Sequence, residues 1–294
     1  MSEEVKGAAE SDAEREARDL DEERRALLEL LLAEEAEEAE ATETAATTAT
    51  TATPSANASH APDAVVLSPA QLRLWVADRV DPGHGVYNIP ASMRLSGSLS
   101  PTRLAAAIQL VVDRHDSLRT TFAERDSQNV QLVAPRRVHR LPLVDLSKLP
   151  RARAEATARA LATVVRAEPF DLARGPLLRT VLAKIAADDW ALLATIHHIV
   201  ADGWSVQILM REIGGAYAGT PLPPLPIQYP DYAEWLAKKL AGGAFDAQVE
   251  YWREHLRGAP TVLDFPSDHP RPPVRRFAAA NVERLISERL AQGW

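Results

Sequence analysis

The sequence contains no cysteine. That absence excludes disulfides, a thiolate nucleophile and sulfur-ligated metal sites, and it fits a cytoplasmic chain. Long apolar runs are missing as well. No segment reaches the length of a membrane span, and the polar, acidic N-terminus is not a secretory signal. There is no basic stripe, so nothing points to nucleic acid as a partner, and no internal repeat is visible. What is present is a 294-residue chain with 46% hydrophobic residues, enough for a sizeable core.

The net charge of −8 is unevenly placed: residues 1–40 hold 16 Asp and Glu against 5 Lys and Arg, which leaves the rest of the chain at +3. Residues 1–40 read as an acidic helical tail with a narrow stripe of Leu20, Leu27, Leu28, Leu31 and Leu32. So little apolar surface leaves two readings open, a solvated tail or a docking helix. Residues 41–64 are rich in Ala and Thr without periodicity and read as a disordered linker.

The folded body is expected from Val65. Ser68-Pro69 and Ser100-Pro101 are N-cap and first-turn signals that open two helices. Ile89–Leu95, Leu118–Phe122, Val130–Val133, Leu177–Ile185 and Trp190–Ile196 read as strands. Arg151–Ala167, Pro230–Leu240 and Phe245–Leu256 read as helices, and Phe277–Leu285 as a last strand. Strands and helices mix without strict alternation, which predicts an α/β sandwich rather than a doubly wound fold.

The centre of the chain is Asp189 to Ser205, an apolar run carrying His197 and His198 that breaks at Asp202-Gly203. Val206, Leu209, Met210, Ile213 and Tyr217 then follow at helical spacing, so the stretch reads as strand, turn, helix. Neighbours on a strand face opposite ways, so the two histidines differ in role: one packs inside, the other can face a cleft. Gly203 permits close approach to a ligand, and the helix directs its N-terminal amides to the same place. An imidazole beside oriented N–H groups is equipment for acyl transfer. A purely structural histidine pair remains open. A metal held by His197, His198 and Asp202 would lack a fourth ligand nearby. His115, on an apolar helix face, reads as a satisfied core histidine. Trp75, Trp204, Tyr232 and Trp235 read as packing residues.

Four segments in order carry a resemblance: Leu67-Ser-Pro-Ala-Gln-Leu-Arg-Leu-Trp75, Arg114-His-Asp-Ser-Leu-Arg-Thr-Thr-Phe122, His197-His-Ile-Val-Ala-Asp-Gly-Trp-Ser205 and Tyr229-Pro-Asp-Tyr-Ala-Glu-Trp235. They resemble the core motifs of condensation domains of non-ribosomal peptide synthetases, the third being the HHxxxDG motif. Asp116 stands where Glu is commoner. Wax-ester synthases share HHxxxDG alone, so a stand-alone acyltransferase is the weaker resemblance. The family resemblance covers about Val65 to Phe277 and implies a chloramphenicol-acetyltransferase-like α/β fold of two lobes with the active site between them. It places the first lobe at 65–276 and the start of a second at 277–294, so the chain is expected to hold one lobe of the usual two.

The resemblance implies amide formation between an acyl or peptidyl donor and an aminoacyl acceptor, both on the phosphopantetheine arms of carrier proteins, with a second lobe needed for activity. A carrier-binding lobe without chemistry is the alternative. His198 is then the residue that orients the amine or takes its proton. Gly203 offers an N–H to the oxyanion, and His197 supports the loop by internal hydrogen bonding. Asp202 is expected to fix the loop by pairing with Arg114 or Arg119. No cofactor or metal is expected on this chain itself. Donor and acceptor carriers, an upstream synthetase chain reached through the N-terminal helix, and a chain supplying the second lobe are the expected partners.

Overall fold

The computed structural model describes residues 64–262, with Pro266, 268–270 and Ile286 beyond them. The expected tail at 1–40, linker at 41–64 and last strand at Phe277–Leu285 lie outside the described residues, apart from Ala64. The chain divides into two compact units, Met1–Gly243 and Ala244–Trp294.

In the first unit the strands are β1 (Ala64–Val66), β2 (Asn88–Pro90), β3 (Met93–Ser96), β4 (Thr120–Arg125), β5 (Gln128–Val133), β6 (Leu143–Asp145), β7 (Leu178–Ala186) and β8 (Asp189–His197). The helices are α1 (Pro69–Val80), α2 (Pro101–Arg114), α3 (Arg151–Ala167), α4 (Gly203–Ala218) and α5 (Tyr229–Ala241). The second unit contributes α6 (Asp246–His255). On α6 the exposed rings of Tyr251, Trp252 and His255 pack on one another.

A small antiparallel sheet runs β1-β5-β4. Its β4–β5 hairpin turns on Asp126 and Ser127, both at positive φ (48° and 62°), as a two-residue loop of the right twist requires. The larger sheet runs β2-β8-β7-β6, and β3 also pairs with β8. The predicted single strand Ile89–Leu95 is therefore two short strands along one edge of β8: β2 lies against 195–197 and β3 against 189–192. Pro90 sits at that edge, where a missing N–H costs no ladder bond.

The period of two along β7 and β8 sorts the core. Leu178, Leu182, Trp190, Leu192 and Ile196 face Leu104, Ile108 and Val111 of α2 and Leu209 and Ile213 of α4. Val181, Ala183, Ile185, Ala191 and Leu193 face Ala154, Ala158, Leu161 and Val165 of α3. Both faces are covered, which is why β7 and β8 read as nearly continuous apolar runs. Burying a side chain such as Ile108, fully enclosed, contributes about 1.5–3 kcal/mol. A third cluster of Leu74, Trp75, Phe122, Phe170, Leu172, Leu177 and Ile199 ties α1 and β4 to the end of β8. This cluster fixes where the strand gives way to the turn that follows.

The α1 N-cap follows from its sequence. Ser68 Oγ accepts the Gln71 N–H at 3.2 Å, and Gln71 Oε1 accepts the Ser68 N–H at 3.0 Å. Gly219 ends α4 in the left-handed region (φ 84°), a conformation that costs other residues a Cβ clash. Among the described residues no helix is long and apolar enough to cross a membrane.

Candidate active site

β8 ends at His197, and the chain turns at once into α4. His197 lies on the α3 side of the sheet and is 3% exposed. Its Nδ1 accepts the Ile199 N–H at 3.1 Å, which makes Nε2 the protonated nitrogen of the neutral ring. Tyr87 and Phe170 meet that ring edge-on, with centroids 6.2 and 6.1 Å away. Burial first, and the neighbouring His198 second, push the His197 pKa down to about 4. It is a neutral brace inside the turn.

His198 is exposed in the turn itself. Its backbone N–H donates to Tyr87 O at 2.8 Å, so the main chain is anchored independently of the imidazole. The ring lines a cleft of about 500 Å³. Leu74 of α1, Ile199 and Val200 of the turn, Ile208 of α4, and Ile227 and Tyr232 give the cleft an apolar wall, while His115, Ser117, Asp202, Ser205 and Gln228 add polar groups. Apolar walls with a few convergent polar groups are what small-molecule sites have.

Asp202 is the N-cap of α4. Its Oδ1 accepts the Ser205 N–H at 2.8 Å and the Ser205 hydroxyl at 2.6 Å. These bonds hold its carboxyl below the usual range, and the neighbouring His198 adds to the effect. The expected pairing of Asp202 with Arg114 or Arg119 is not what the structure contains. Arg114 Nε donates to Glu212 Oε2 at 3.1 Å. Arg119 is held by Asp116 and by the carbonyl oxygens of Ala134 and Asp113. The reason is geometric: Arg114, at the end of α2, meets α4 at Glu212, roughly 15 Å along the helix axis from its cap. The cap geometry leads to a prediction. Asp202→Ala should lower stability by about 1 kcal/mol in urea unfolding, whereas Asp202→Asn, which can still cap, should cost a fraction of that.

Gly203 is the first residue of α4 and is exposed. A Cβ built there meets nothing within 4 Å, so the space at its Cα is open, and Gly203 is not among the residues that line the cleft with His198. Backbone amides at the N-terminal end of α4 carry a partial positive charge.

His115 has a hydrogen-bond partner, as expected, but lies at the cleft and not in the core. It caps the C-terminus of α2, lines the cleft, and its Nε2 donates to Glu212 Oε2 at 2.6 Å. The same oxygen takes Arg114, and all three side chains are less than a fifth exposed. Glu212→Ala would strand a guanidinium and an imidazole in this poorly solvated place, so an expected loss of about 2–3 kcal/mol should appear in the urea midpoint.

Trp204 is 73% exposed rather than packed, and Tyr232 and Trp235 stack on one another at the surface of α5, with centroids 5.9 Å apart. Trp75 is buried as expected, its indole N–H donating to Asn129.

Sequence reasoning misses Glu212, Gln228 and Tyr229. Gln228 spans the second motif, donating to Arg114 O at 2.9 Å and accepting the Asp116 N–H at 3.1 Å. Tyr229 Oη shares a 2.9 Å hydrogen bond with Ser68 Oγ, joining α5 to α1 at the cleft. The available signal is the Gln228–Asp231 capping pattern at the start of the fourth motif. Among the described residues no group of three or more His, Asp or Glu side chains converges as a metal-ligand set.

A mixed sheet with helices on both faces, and an HHxxxDG turn between its central strand and a helix, define the chloramphenicol-acetyltransferase-like α/β fold. The chain belongs to the Condensation domain family, whose profile matches residues 61–293. It is 43% identical over 234 residues to one of the linear gramicidin synthase proteins of Brevibacillus parabrevis, covering 77% of this chain and 3% of that protein. With phosphinothricin tripeptide synthetase PhsC of Streptomyces viridochromogenes it shares 40% identity over 227 residues, 73% of this chain and 21% of that one. The crystal structure of the starter condensation domain of rhizomide synthetase superposes with a TM-score of 0.62 at 25% identity, over 68% of this chain and 49% of that one. The chain thus spans a small part of these synthetases and about half of the solved domain.

Proposed function

We propose that the chain forms amide bonds in non-ribosomal peptide synthesis. An acyl or peptidyl group arrives as a thioester on the phosphopantetheine arm of a donor carrier protein, and an aminoacyl group arrives on an acceptor carrier. The acceptor amine attacks the thioester carbonyl, the C–N bond forms and the C–S bond breaks. The amine proton leaves by way of His198 to the departing thiolate. A second lobe, from the same polypeptide or another, would close the cleft opposite this one.

The observation that carries this reading is the division of labour between the two histidines. His197 is buried and hydrogen-bonded within the turn, while His198 opens into the cleft beside the N-terminus of α4. An imidazole exposed in a cleft can accept a proton from an amine bound beside it. The N–H of Gly203, the first residue of α4, is the donor this reading assigns to the oxyanion of the tetrahedral intermediate. Holding the amine and thioester together would supply a large part of the rate.

The test mixes the purified chain with donor-loaded and acceptor-loaded carrier proteins, with and without the second lobe of a homologous condensation domain. Intact masses of the carriers are followed. The expected result is loss of the donor's acyl mass and its gain by the acceptor. Carriers that bind but exchange no mass under either condition would replace amide formation with a carrier-binding role.

A further inference from the structure

The cleft holds a second imidazole besides that of His198, and it is the one with a carboxylate partner. Asp202 is engaged with Ser205 at the α4 cap, whereas Glu212 Oε2 takes the Nε2–H of His115 at 2.6 Å. A carboxylate that holds one ring nitrogen fixes the tautomer and the plane of the ring. The other nitrogen, Nδ1, then carries a lone pair, and no hydrogen bond to it occurs among the described residues. Arg114 donates to the same Glu212 oxygen, so a second bond pins the carboxylate where it meets the ring. Gln228 donates to Arg114 O and accepts from Asp116 N–H, bracing the backbone on both sides of His115. An oriented acceptor nitrogen on a braced backbone, carried by a residue that lines a cleft of apolar walls with a few polar groups, suits an N–H donor.

We infer that His115 is a further substrate-binding residue of the cleft: its Nδ1 accepts an N–H from the bound pantetheine-linked group, and Glu212 is the positioning residue behind it. The inference rests on the proposed function for the nature of the ligand. Two N–H sources share the chemistry, an amide of the pantetheine arm and the amine of an aminoacyl group. Pantetheine and a non-hydrolysable aminoacyl-pantetheine amide separate them as probes.

The variants are His115→Gln, whose amide can still donate to Glu212 but offers nothing at the Nδ1 position, and His115→Asn, whose side-chain oxygen can stand in for Nδ1. Each is first checked for an unchanged urea midpoint. Probe affinity is then measured by calorimetry for each protein, and in the unaltered chain also by the ring-proton shifts of His115, both independent of turnover. KM and kcat follow in the carrier assay. His115→Gln is expected to weaken binding and raise KM about tenfold with a smaller change in kcat, and His115→Asn to recover most of the loss. An effect on both probes assigns the arm amide, and an effect on the aminoacyl probe alone assigns the amine. Either result supports the inference. Wild-type affinity and KM for a stable His115→Gln protein overturn it, as does a loss that His115→Asn shares in full. A wild-type chain that binds the probes through His115 yet transfers nothing would count against the proposed function and leave His115 as a binding residue.

Discussion

Replacing His198 by Ala is expected to lower the rate of amide formation by about 10²–10⁴-fold, the range that loss of a positioned acid–base group produces. Folding should be indifferent to the change. The side chain is exposed, and the turn is held by backbone bonds, His198 N–H to Tyr87 O and Val200 N–H to His197 O, that alanine keeps. The loss should fall on kcat more than on KM, because a proton acceptor acts in the transition state. A drop of only about tenfold would leave orientation of the amine as its whole contribution. A rate equal to wild type, measured by carrier mass, would remove His198 from the mechanism. His197→Ala offers the contrast: it deletes a buried ring packed on Phe170 and Tyr87 and the acceptor of the Ile199 N–H. Its activity should fall together with the amount of folded protein.

Which of the two histidines faces the cleft comes from the resemblance of the motif, but that they differ in environment is legible in the sequence, because adjacent residues leave a strand on opposite sides. So is α3, read to the residue at Arg151–Ala167, since Ala154, Ala158, Leu161 and Val165 repeat at helical spacing over several turns. β1 and β6, three residues each, escape such a reading, because a three-residue strand carries no period to detect. The break between β2 and β3 is hidden for a related reason: the run alternates well enough, and the ladder against β8 keeps one register across Ala91 and Ser92, with the Ala91 N–H still donating to Ala194 O. Charge partners are the least legible. Arg114 is close in type to what Asp202 would pair with, but which acid it meets depends on where α2 ends against α4. That is set by packing of Val111, Val112 and Leu209 rather than by any local signal. A helix N-cap explains Asp202 just as well from sequence, with Ser205 three residues on. Trp204 shows the same limit: its helical position is clear from the sequence, but its exposure is not.

Acid should unfold the chain earlier than its carboxylates alone would cause. His197 and His139 are both held neutral, their pKa pushed down from 6.5 to about 4 by burial. His139 Nε2 is 2.8 Å from Thr180 Oγ1, whose hydroxyl donates to Arg140 O, so the ring supplies the proton in that bond. A folded pKa below the unfolded one means the unfolded chain takes up protons first as pH falls. Their contribution is therefore complete above about pH 6.5, declines by about 1.4 kcal/mol per pH unit for each histidine within the window, and is gone near pH 4. His139 is partly open to water, which moderates its share, so the expected loss between about pH 7 and about pH 4.5 is roughly 4 kcal/mol for the pair. Asp113, Asp145, Asp189 and Asp202 have pKa values lowered by their hydrogen bonds, and their contributions are lost only below about pH 3.8, outside this window. Asp78, raised by burial and then by Asp171, acts in the opposite sense and offsets a little of the loss. Urea unfolding at the two pH values measures the difference directly. His197→Asn, which keeps an acceptor near the Ile199 N–H but cannot ionise, should recover about half of the acid loss. A wild-type urea midpoint that stays flat across this range would mean that both rings admit water freely enough to ionise in place. The turn behind His198 would then be neither rigid nor dry, and His197 could not be its neutral brace.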